Sequence, residues 1–448
     1  MASAAEQLAA NINFAAFAKA TDLQKRIWFT LMALVVYRAG TFIPIPGVDS
    51  AAFAQAFQQQ AGGILGMFNT FSGGAVERMA VFALNVMPYI SASIIIQLMA
   101  TSIPTLERLK KEGEVGRKQL NQYTRYLTLV LAIVQSYGIS MGLQAGQGIV
   151  TNPGVFFIAS TIITLTGGAM FLMWLGEQVT ARGVGNGISL IIFAGIVADL
   201  PRVMLQTLSL ARVGDINPFA IFALAAVMFA AIVLIVFIER SQRRLVVQYP
   251  KRQSGNRMFM GENSFLPLKI NVAGVIPPIF ASSLLMLPAT LISFAGMGAN
   301  APDWLLTVQG TLGYGKPGHL ALYGLGIVFF CFFYTSIVFN PDETADNLRK
   351  YGGFLPGIRP GKKTAEYLDY VLTRLTVIGA AYITLVCLLP EILIANYGIP
   401  FYLGGTSIMI VISVTLDTVA QIQSHLVAHQ YEGLIKRSKL RGSGAPKR

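Results

Sequence analysis

The sequence predicts an all-α polytopic membrane protein, with ten transmembrane helices in two pseudo-symmetric inverted halves of five. Three observations predict this class. Hydrophobic residues make up 54% of the 448 residues and charged residues only 12%, against roughly 25% charged in a typical soluble domain. The apolar residues are grouped into ten long segments, and the lysines and arginines fall almost entirely on one side of those segments.

Most of the ten segments approach the ~20 apolar residues that a helix needs to cross ~30 Å of hydrocarbon. They are Trp28–Ile43, Ala80–Ile103, Tyr126–Leu143, Val155–Leu175, Ile188–Met204, Pro218–Ile238, Val272–Phe294, Leu320–Phe339, Leu375–Ile394 and Ser407–Leu426. Nearly all of the 34 basic residues lie before the first segment or after an even-numbered one. By the positive-inside rule these regions, and therefore both termini, are cytoplasmic.

A net charge of +13 could indicate nucleic-acid binding. Because the basic residues are sorted by side of the membrane, the charge indicates orientation, together with anionic lipids or acidic partners at the cytoplasmic face. Cys331 and Cys387 lie inside apolar segments. The sequence therefore predicts neither a disulfide framework nor a metal cluster.

The first external connection, Pro44–Glu77, contains a short apolar stretch, Gly62–Gly74, that is bracketed by glycine pairs. This stretch is too short to span a bilayer. Backbone at membrane depth is tolerated only where it is buried in protein or lines a cavity. Two interpretations follow: an amphipathic helix on the membrane surface, or a short re-entrant element that fills a cavity from the external side.

Two cytoplasmic connections, residues 239–269 and 340–374, are too polar to enter lipid and longer than the roughly 2–8 residues of ordinary bundle linkers. In the first, Val246–Pro250 can pair with Phe265–Leu268 as a small hairpin. The second is punctuated by glycine and proline pairs. Loops of this kind usually carry function, and a solvated run of charge is the alternative.

Five segments followed by five predict an inverted repeat, because an odd number of crossings flips the second copy. The halves are residues 1–210 and 211–448. Met87–Ser93 in the second segment and Ile276–Ser282 in the seventh share proline, isoleucine, alanine and serine in register. Proline near the start and small residues after it permit close helix contact. These two segments are the best candidates for a mobile seam between the halves.

No enzyme signature is visible, and no cofactor is predicted. Arg38 and Asp417 are the clearest charges within the segments, and they are interpreted first as structural bridges between helices. His425 and His429 share a helix face but lack a third ligand, so no metal site is predicted. Gly357–Thr364 has only three residues between its glycines, which excludes a phosphate-binding P-loop.

The sequence also lacks an evident relay of buried acidic and histidine side chains, which would indicate an ion-coupled carrier. Instead, the middles of the segments are aliphatic. A hydrophobic constriction offers an ion no ligands and can gate by dewetting. This favours a conduit that passes a large, chemically varied substrate and refuses ions at rest.

Eight motifs, in this order and spacing, resemble those of the SecY family, the central channel subunits of bacterial protein translocases. They are Thr41–Gly47, Phe68–Gly74, Met87–Gln97, Tyr123–Tyr126, Gly185–Ser189, Gly274–Pro277, Gly357–Gly361 and Gly404–Ser407. The resemblance covers nearly the whole chain and is weakest at its two ends. It implies an hourglass of two halves that opens sideways between the second and seventh helices.

The resemblance also implies site residues. A mid-membrane pore ring would be formed by Val86, Ile90, Ile192, Ile279 and Ile410. The family usually has isoleucine at Val86, so the seal there would be looser. A re-entrant plug would include Gly62, Ile64, Leu65, Met67, Phe68, Asn69, Phe71 and Ser72. Polar lateral-gate positions would be Ser91, Gln97 and Asn271, and a motor ATPase or ribosome would contact Arg359, Arg257 and Lys251.

The partners implied by the resemblance are the SecE and SecG membrane subunits, the SecA motor ATPase, the ribosome, secretory preproteins and nascent membrane proteins. The implied location is the cytoplasmic membrane, and the implied function is to translocate unfolded polypeptides and to release apolar segments sideways. A small-solute carrier and a passive scaffold for other membrane proteins are the competing hypotheses. Solute-dependent uptake by reconstituted protein would favour the carrier.

Overall fold

A computed structural model describes residues 20–60, 69–145, 148–213, 218–249, 252–254, 257–259, 263–285, 316–397 and 404–442. This part of the chain is mostly helical and contains six helices long and apolar enough to cross a membrane, or seven if one bent pair is a single span. The predicted class of polytopic α-helical membrane protein is confirmed. The total of ten spans stays a prediction.

Each predicted segment overlaps a helix, but the helices of the third, ninth and tenth segments extend more than ten residues beyond them. The helices are α1 (Thr21–Gly40), α2 (Ser50–Gln60), α3 (Met87–Ser102), α4 (Pro104–Lys111), α5 (Glu114–Ala145), α6 (Val155–Arg182), α7 (Gly187–Val213), α8 (Pro218–Arg240), α9 (Ile276–Leu285), α10 (Pro317–Val338), α11 (Pro341–Lys350), α12 (Lys362–Tyr397) and α13 (Gly405–Gly442). The strands are β1 (Gln242–Gln248), β2 (Arg252–Ser254), β3 (Arg257–Phe259) and β4 (Asn263–Lys269).

The second segment differs from its prediction at both ends. Its helix starts at Met87 instead of Ala80, because the residues between them form turns in which Asn85 has a φ of 49°. At the other end, α3 and α4 meet at a bend of 99°. Ile103 at this bend is extended, as expected for a residue that precedes a proline.

The two long polar connections, residues 239–269 and 340–374, share one small apolar core with α12. The predicted hairpin is confirmed, since β1 pairs with β4 in antiparallel register with Val246 opposite Phe265. Gln248 also exchanges backbone hydrogen bonds with Phe354 of the second connection, at 2.9 and 3.0 Å. Buried leucine and valine side chains from β1, β4, the second connection and α12 close the core: Leu245, Val247, Leu268, Leu355, Leu368, Val371, Leu372 and Leu375.

The described chain forms two compact units. The first contains the described residues up to Pro201 together with those from Val414 onward, and the second contains those from Arg202 to Ser413. In the first unit α3 packs against α5 and α5 against α6, and in the second α10 packs against α12. The division of the sequence into halves at residues 210 and 211 stays a prediction.

Candidate functional site

The aliphatic residues expected in the pore ring are divided between the two units. In the first unit Val86, Ile90 and Ile192 are buried, with exposed fractions of 1%, 8% and 4%. Val86 immediately precedes α3, and its carbonyl oxygen accepts a hydrogen bond from the Ile90 amide at 3.0 Å. In the second unit Ile410 is 2% exposed, and Ile279 is half-buried.

Two of these isoleucines occupy the same place in two similar helix starts. Ile90 is the fourth residue of α3, and Ile279 is the fourth residue of α9. Both helices have proline as their second residue. Two residues before each start the backbone is left-handed, with φ of 49° at Asn85 and 64° at Gly274. The match between the second and seventh segments therefore extends from sequence to local backbone conformation.

The other two isoleucines form a second matched pair. Ile192 is the sixth residue of α7 and Ile410 the sixth residue of α13, and both helices begin with glycine. A Cβ atom on Gly187 would overlap a carbonyl oxygen of α6, and a Cβ atom on Gly405 would overlap a carbonyl oxygen of α12. The shared pattern Gly-x-Ser, followed by isoleucine three residues later, could have revealed this pair in the sequence.

The plug residues are described only in part. Gly62, Ile64, Leu65, Met67 and Phe68 lie outside the described residues. Asn69, Phe71 and Ser72 lie in a buried helical turn, residues 69–72, with exposed fractions of 8%, 3% and 0%. Asn69 also binds Glu77, whose backbone amide donates to the Asn69 side-chain oxygen at 2.9 Å.

The expected lateral-gate side chains are held within their own units. Ser91 is buried in α3, and the Gln97 amide donates to the Ser93 hydroxyl of the same helix at 3.2 Å. Asn271 donates to the Glu239 carboxylate at 2.6 Å and accepts from the Gly274 amide at 3.0 Å. The Asn271 side chain therefore stabilises the turn that leads into α9.

Arg359 is exposed at the tip of the second long polar connection, residues 340–374. Its carbonyl oxygen accepts a hydrogen bond from the Thr364 hydroxyl at 3.1 Å. Gly357 and Gly361 on either side have φ of 79° and 102°, conformations that glycine adopts without strain. Arg257 lies in β3, and Lys251 lies outside the described residues. Ile358, next to Arg359, packs against the apolar core of the two connections, so the tip is attached to that core.

Sequence reasoning missed two side-chain pairs between helices. His319 of α10 lies 3.3 Å from Glu391 of α12, and both side chains are buried. The statement that Arg38 and Asp417 are the clearest charges in the segments was incomplete, because Glu391 lies in the ninth segment. Arg125 of α5 forms a bidentate ion pair with Glu177 of α6, at 3.0 and 2.7 Å. Neither pair is close in sequence, so only tertiary structure identifies them.

Comparisons with known proteins agree with this geometry. The family model described as SecY matches residues 80–419. The chain is 53% identical to the protein translocase subunit SecY of Escherichia coli K12, over 94% of this chain and 96% of that protein. It is 54% identical to the same subunit of Pseudomonas aeruginosa PAO1, over 95% of this chain and 96% of that protein.

Two solved structures share the fold at low identity. One is described as "The structure of a protein conducting channel", with a TM-score of 0.66 and 17% identity over 91% of this chain and 93% of that chain. The other is described as "Sec61 in the Canine ribosome-channel complex from the endoplasmic reticulum", with a TM-score of 0.62 and 17% identity over the same shares. Both likenesses concern the fold of the chain.

Proposed function

The chain belongs to the SecY family of protein translocase subunits, and we propose that this protein-conducting channel works in a bacterial cytoplasmic membrane with both termini on the cytoplasmic side. It passes unfolded secretory polypeptides across the membrane and releases apolar segments of membrane proteins sideways into lipid. The asymmetric placement of basic residues supports this orientation.

The observation that carries the proposal is the repeated placement of four isoleucines. Ile90 and Ile279 share one position in two matching helix starts, and Ile192 and Ile410 share another. Side chains without hydrogen-bonding atoms offer ions no ligands, and a constriction made of them gates by dewetting. Such a ring can also close around an extended polypeptide without selecting its sequence.

The plug and the lateral gate complete the mechanism. The plug, residues 62–72, closes the external side at rest. Ser91, Gln97 and Asn271 lie at the sideways opening between the second and seventh helices. When that opening parts, an apolar run of ~20 residues is stable in lipid, whereas a polar run continues through the ring. One channel therefore both secretes and inserts.

The cytoplasmic connections are proposed as the docking site for the SecA motor ATPase and the ribosome, through Arg359, Arg257 and Lys251. Their shared apolar core supports this role, because a docking loop transmits force only if it is attached to rigid structure. The canine Sec61 structure is described as part of a ribosome-channel complex. SecE and SecG are the proposed membrane subunits, and preproteins and nascent chains are the substrates.

The ring is tested by replacing Ile192 and Ile410 together with alanine. We expect higher resting ion conductance in planar bilayers and weaker discrimination against precursors with defective signal sequences, because the constriction becomes wider. Ile163→Ala with Ile378→Ala is the matched control, since both side chains are exposed on the helix surface, at 73% and 54%. Wild-type conductance and selectivity in the ring variant would show that these residues do not form the seal.

The docking role is tested by Arg359→Glu. Arg349→Glu introduces the same charge change in the same connection and is the control. We expect Arg359→Glu alone to abolish ATP-driven translocation while leaving assembly of the membrane complex intact. Normal transport by this variant, or equal losses in both variants, would count against a specific contact at Arg359.

A further inference from the structure

We infer that Tyr37, Arg38 and Asn85 are positioning residues that fix the end of the plug to the first compact unit. The inference rests on the proposed plug assignment, and it concerns only the described end of that segment, residues 69–74. The relevant observation is that three consecutive backbone carbonyl groups, those of residues 71–73, each accept a hydrogen bond from a different side chain.

The helical turn ends in a way that leaves its carbonyl groups in need of partners. Gly73 and Gly74 have φ of 64° and 83°. The Gly74 amide donates to the Asn69 carbonyl at 2.9 Å, and the Gly73 amide donates to the Thr70 carbonyl at 3.3 Å. This is a Schellman ending, which reverses the chain after Ser72. The carbonyl groups after Thr70 receive no bond from this ending.

Side chains from two other parts of the first unit supply the missing donors. The Asn85 amide donates to the Phe71 carbonyl at 2.7 Å. The Tyr37 hydroxyl donates to the Ser72 carbonyl at 3.2 Å. The Arg38 guanidinium donates to the Gly73 carbonyl at 2.6 Å. Tyr37 and Arg38 are adjacent near the end of α1, whereas Asn85 lies in the turn that precedes α3.

Burial makes these bonds hard to replace with water. Tyr37 and Ser72 are 0% exposed and Asn85 is 1% exposed. A buried carbonyl that loses its donor is left unsatisfied, which costs more than the bond itself contributes. The Arg38 bond carries a formal charge, so it is the strongest of the three. The turn is also closely packed, because a Cβ atom on Gly195 of α7 would overlap the Phe71 carbonyl oxygen.

This arrangement gives Arg38 a role that its place in an apolar segment does not reveal. It holds a backbone carbonyl of the connection that follows its own helix. Residues 69–74 are thereby tied to α1 and to the start of α3, the helix that carries Ile90. The three bonds therefore hold the described end of the plug within the first unit, and weakening them favours the unsealed channel.

The experiment uses the full-length chain, assembled with its membrane subunits and reconstituted in planar bilayers. Arg38→Gln removes the charge-assisted donor, and we expect resting ion conductance to rise about tenfold, because such a bond accounts for a population ratio of that order. Arg38→Lys keeps the charge and should give an intermediate value. Arg26→Gln is the control, since Arg26 lies in the same helix and pairs with the exposed Asp22, at 3.6 Å.

Two further variants keep the test decisive if Arg38→Gln does not assemble. Tyr37→Phe keeps the stacking on Phe82 and removes the donor to Ser72. Asn85→Gly keeps the left-handed backbone and removes the donor to Phe71. Each should raise resting conductance and improve transport of a precursor with a defective signal sequence.

The outcomes separate this inference from the proposed function. Suppose that the wild-type channel transports a precursor and conducts when occupied. If every assembled variant of Tyr37, Arg38 and Asn85 then has the resting conductance of the wild type, the positioning role is wrong. If the wild-type protein neither transports nor conducts under any condition, the proposed function itself fails.

Discussion

The starts of α3 and α9 share a left-handed residue two positions before the helix, but different side chains stabilise the turn around it. In the first unit the left-handed residue is Asn85, whose amide binds the Phe71 carbonyl. In the second unit it is Gly274, and the neighbouring Asn271 holds the turn by binding Glu239. The same left-handed conformation leads into each isoleucine-bearing helix. The side chains that stabilise it differ, as do the segments that precede the two starts.

The starts of α7 and α13 differ less. Both begin with a buried glycine that lies against a carbonyl oxygen of the preceding helix, and both carry isoleucine at the sixth position. The connections before these starts are short, residues 183–186 and 398–404. The comparison teaches that the isoleucines hold matching positions in both pairs of helix starts, whereas the side chains that stabilise the starts differ more between α3 and α9 than between α7 and α13.

The largest expected effect concerns these glycines. Gly187→Ala and Gly405→Ala each place a Cβ atom on a backbone oxygen that cannot rotate away, and overpacking of this kind costs about 3 kcal/mol. We expect both variants to lose thermal stability in detergent by similar amounts. The resting conductance of assembled channels should rise as well, because the helix start must shift and move the isoleucine five residues later.

Gly167→Ala is the matched control for this prediction. Gly167 lies within α6, and nothing lies within 4 Å of its added Cβ atom. Alanine favours a helix over glycine by about 1 kcal/mol, so the control should be neutral or slightly stabilising. A large loss at Gly187 with none at Gly405 would break the equivalence of the two helix starts.

The second-largest expected effect concerns Asn271, which stabilises the turn before α9. Asn271→Ala removes the bonds to Glu239 and to the Gly274 amide in a buried site, and we expect a loss of about 2 kcal/mol in stability. The measurement is thermal unfolding of the assembled complex in detergent. Gln97→Leu is the comparison, because the Gln97 amide bonds only within its own helix among the described contacts.

Gln97→Leu should change stability by less than about 0.5 kcal/mol. Its side-chain oxygen is buried without a described hydrogen-bond donor, and replacing such a group by an apolar one is close to neutral. Equal losses at both positions would show that Asn271 has no special part in holding the start of α9.

Much of this architecture was accessible from the sequence because its determinants are local. The length of apolar runs and the placement of lysine and arginine predict spans and orientation. The hairpin of β1 and β4 followed from two short apolar runs in a polar connection, and Val246 does pair opposite Phe265. The proline and isoleucine matches paired the second and seventh segments, and the structure gives both helix starts the same local backbone conformation.

The remainder depends on contacts between distant residues. Hydropathy does not distinguish an apolar turn from an apolar helix, so the start of α3 was placed at Ala80 instead of Met87. Arg125 and Glu177 are 52 residues apart, and no local pattern pairs them. Arg38 could be singled out as a charge in an apolar segment, but its partner is a backbone carbonyl, which has no signature in the sequence.

The smallest expected effect concerns the left-handed residues themselves. Outside glycine, this conformation costs about 1 kcal/mol, and asparagine tolerates it better than other side chains. Gly274→Ala should therefore destabilise the complex by about 1 kcal/mol from backbone strain alone, because no atom lies within 4 Å of the added Cβ atom. Gly274→Asn should cost less. The measurement is thermal unfolding, with both variants in the same membrane complex.

At Asn85 the corresponding replacements are glycine and alanine. Asn85→Gly relieves the backbone but loses the bond to Phe71, whereas Asn85→Ala loses the bond and keeps the strain. Glycine should be favoured over alanine at both sites, by about 1 kcal/mol from the backbone, and by less at Asn85, because the alanine methyl group is buried there. Alanine as stable as glycine at Gly274 would show that the left-handed conformation does not constrain the start of α9.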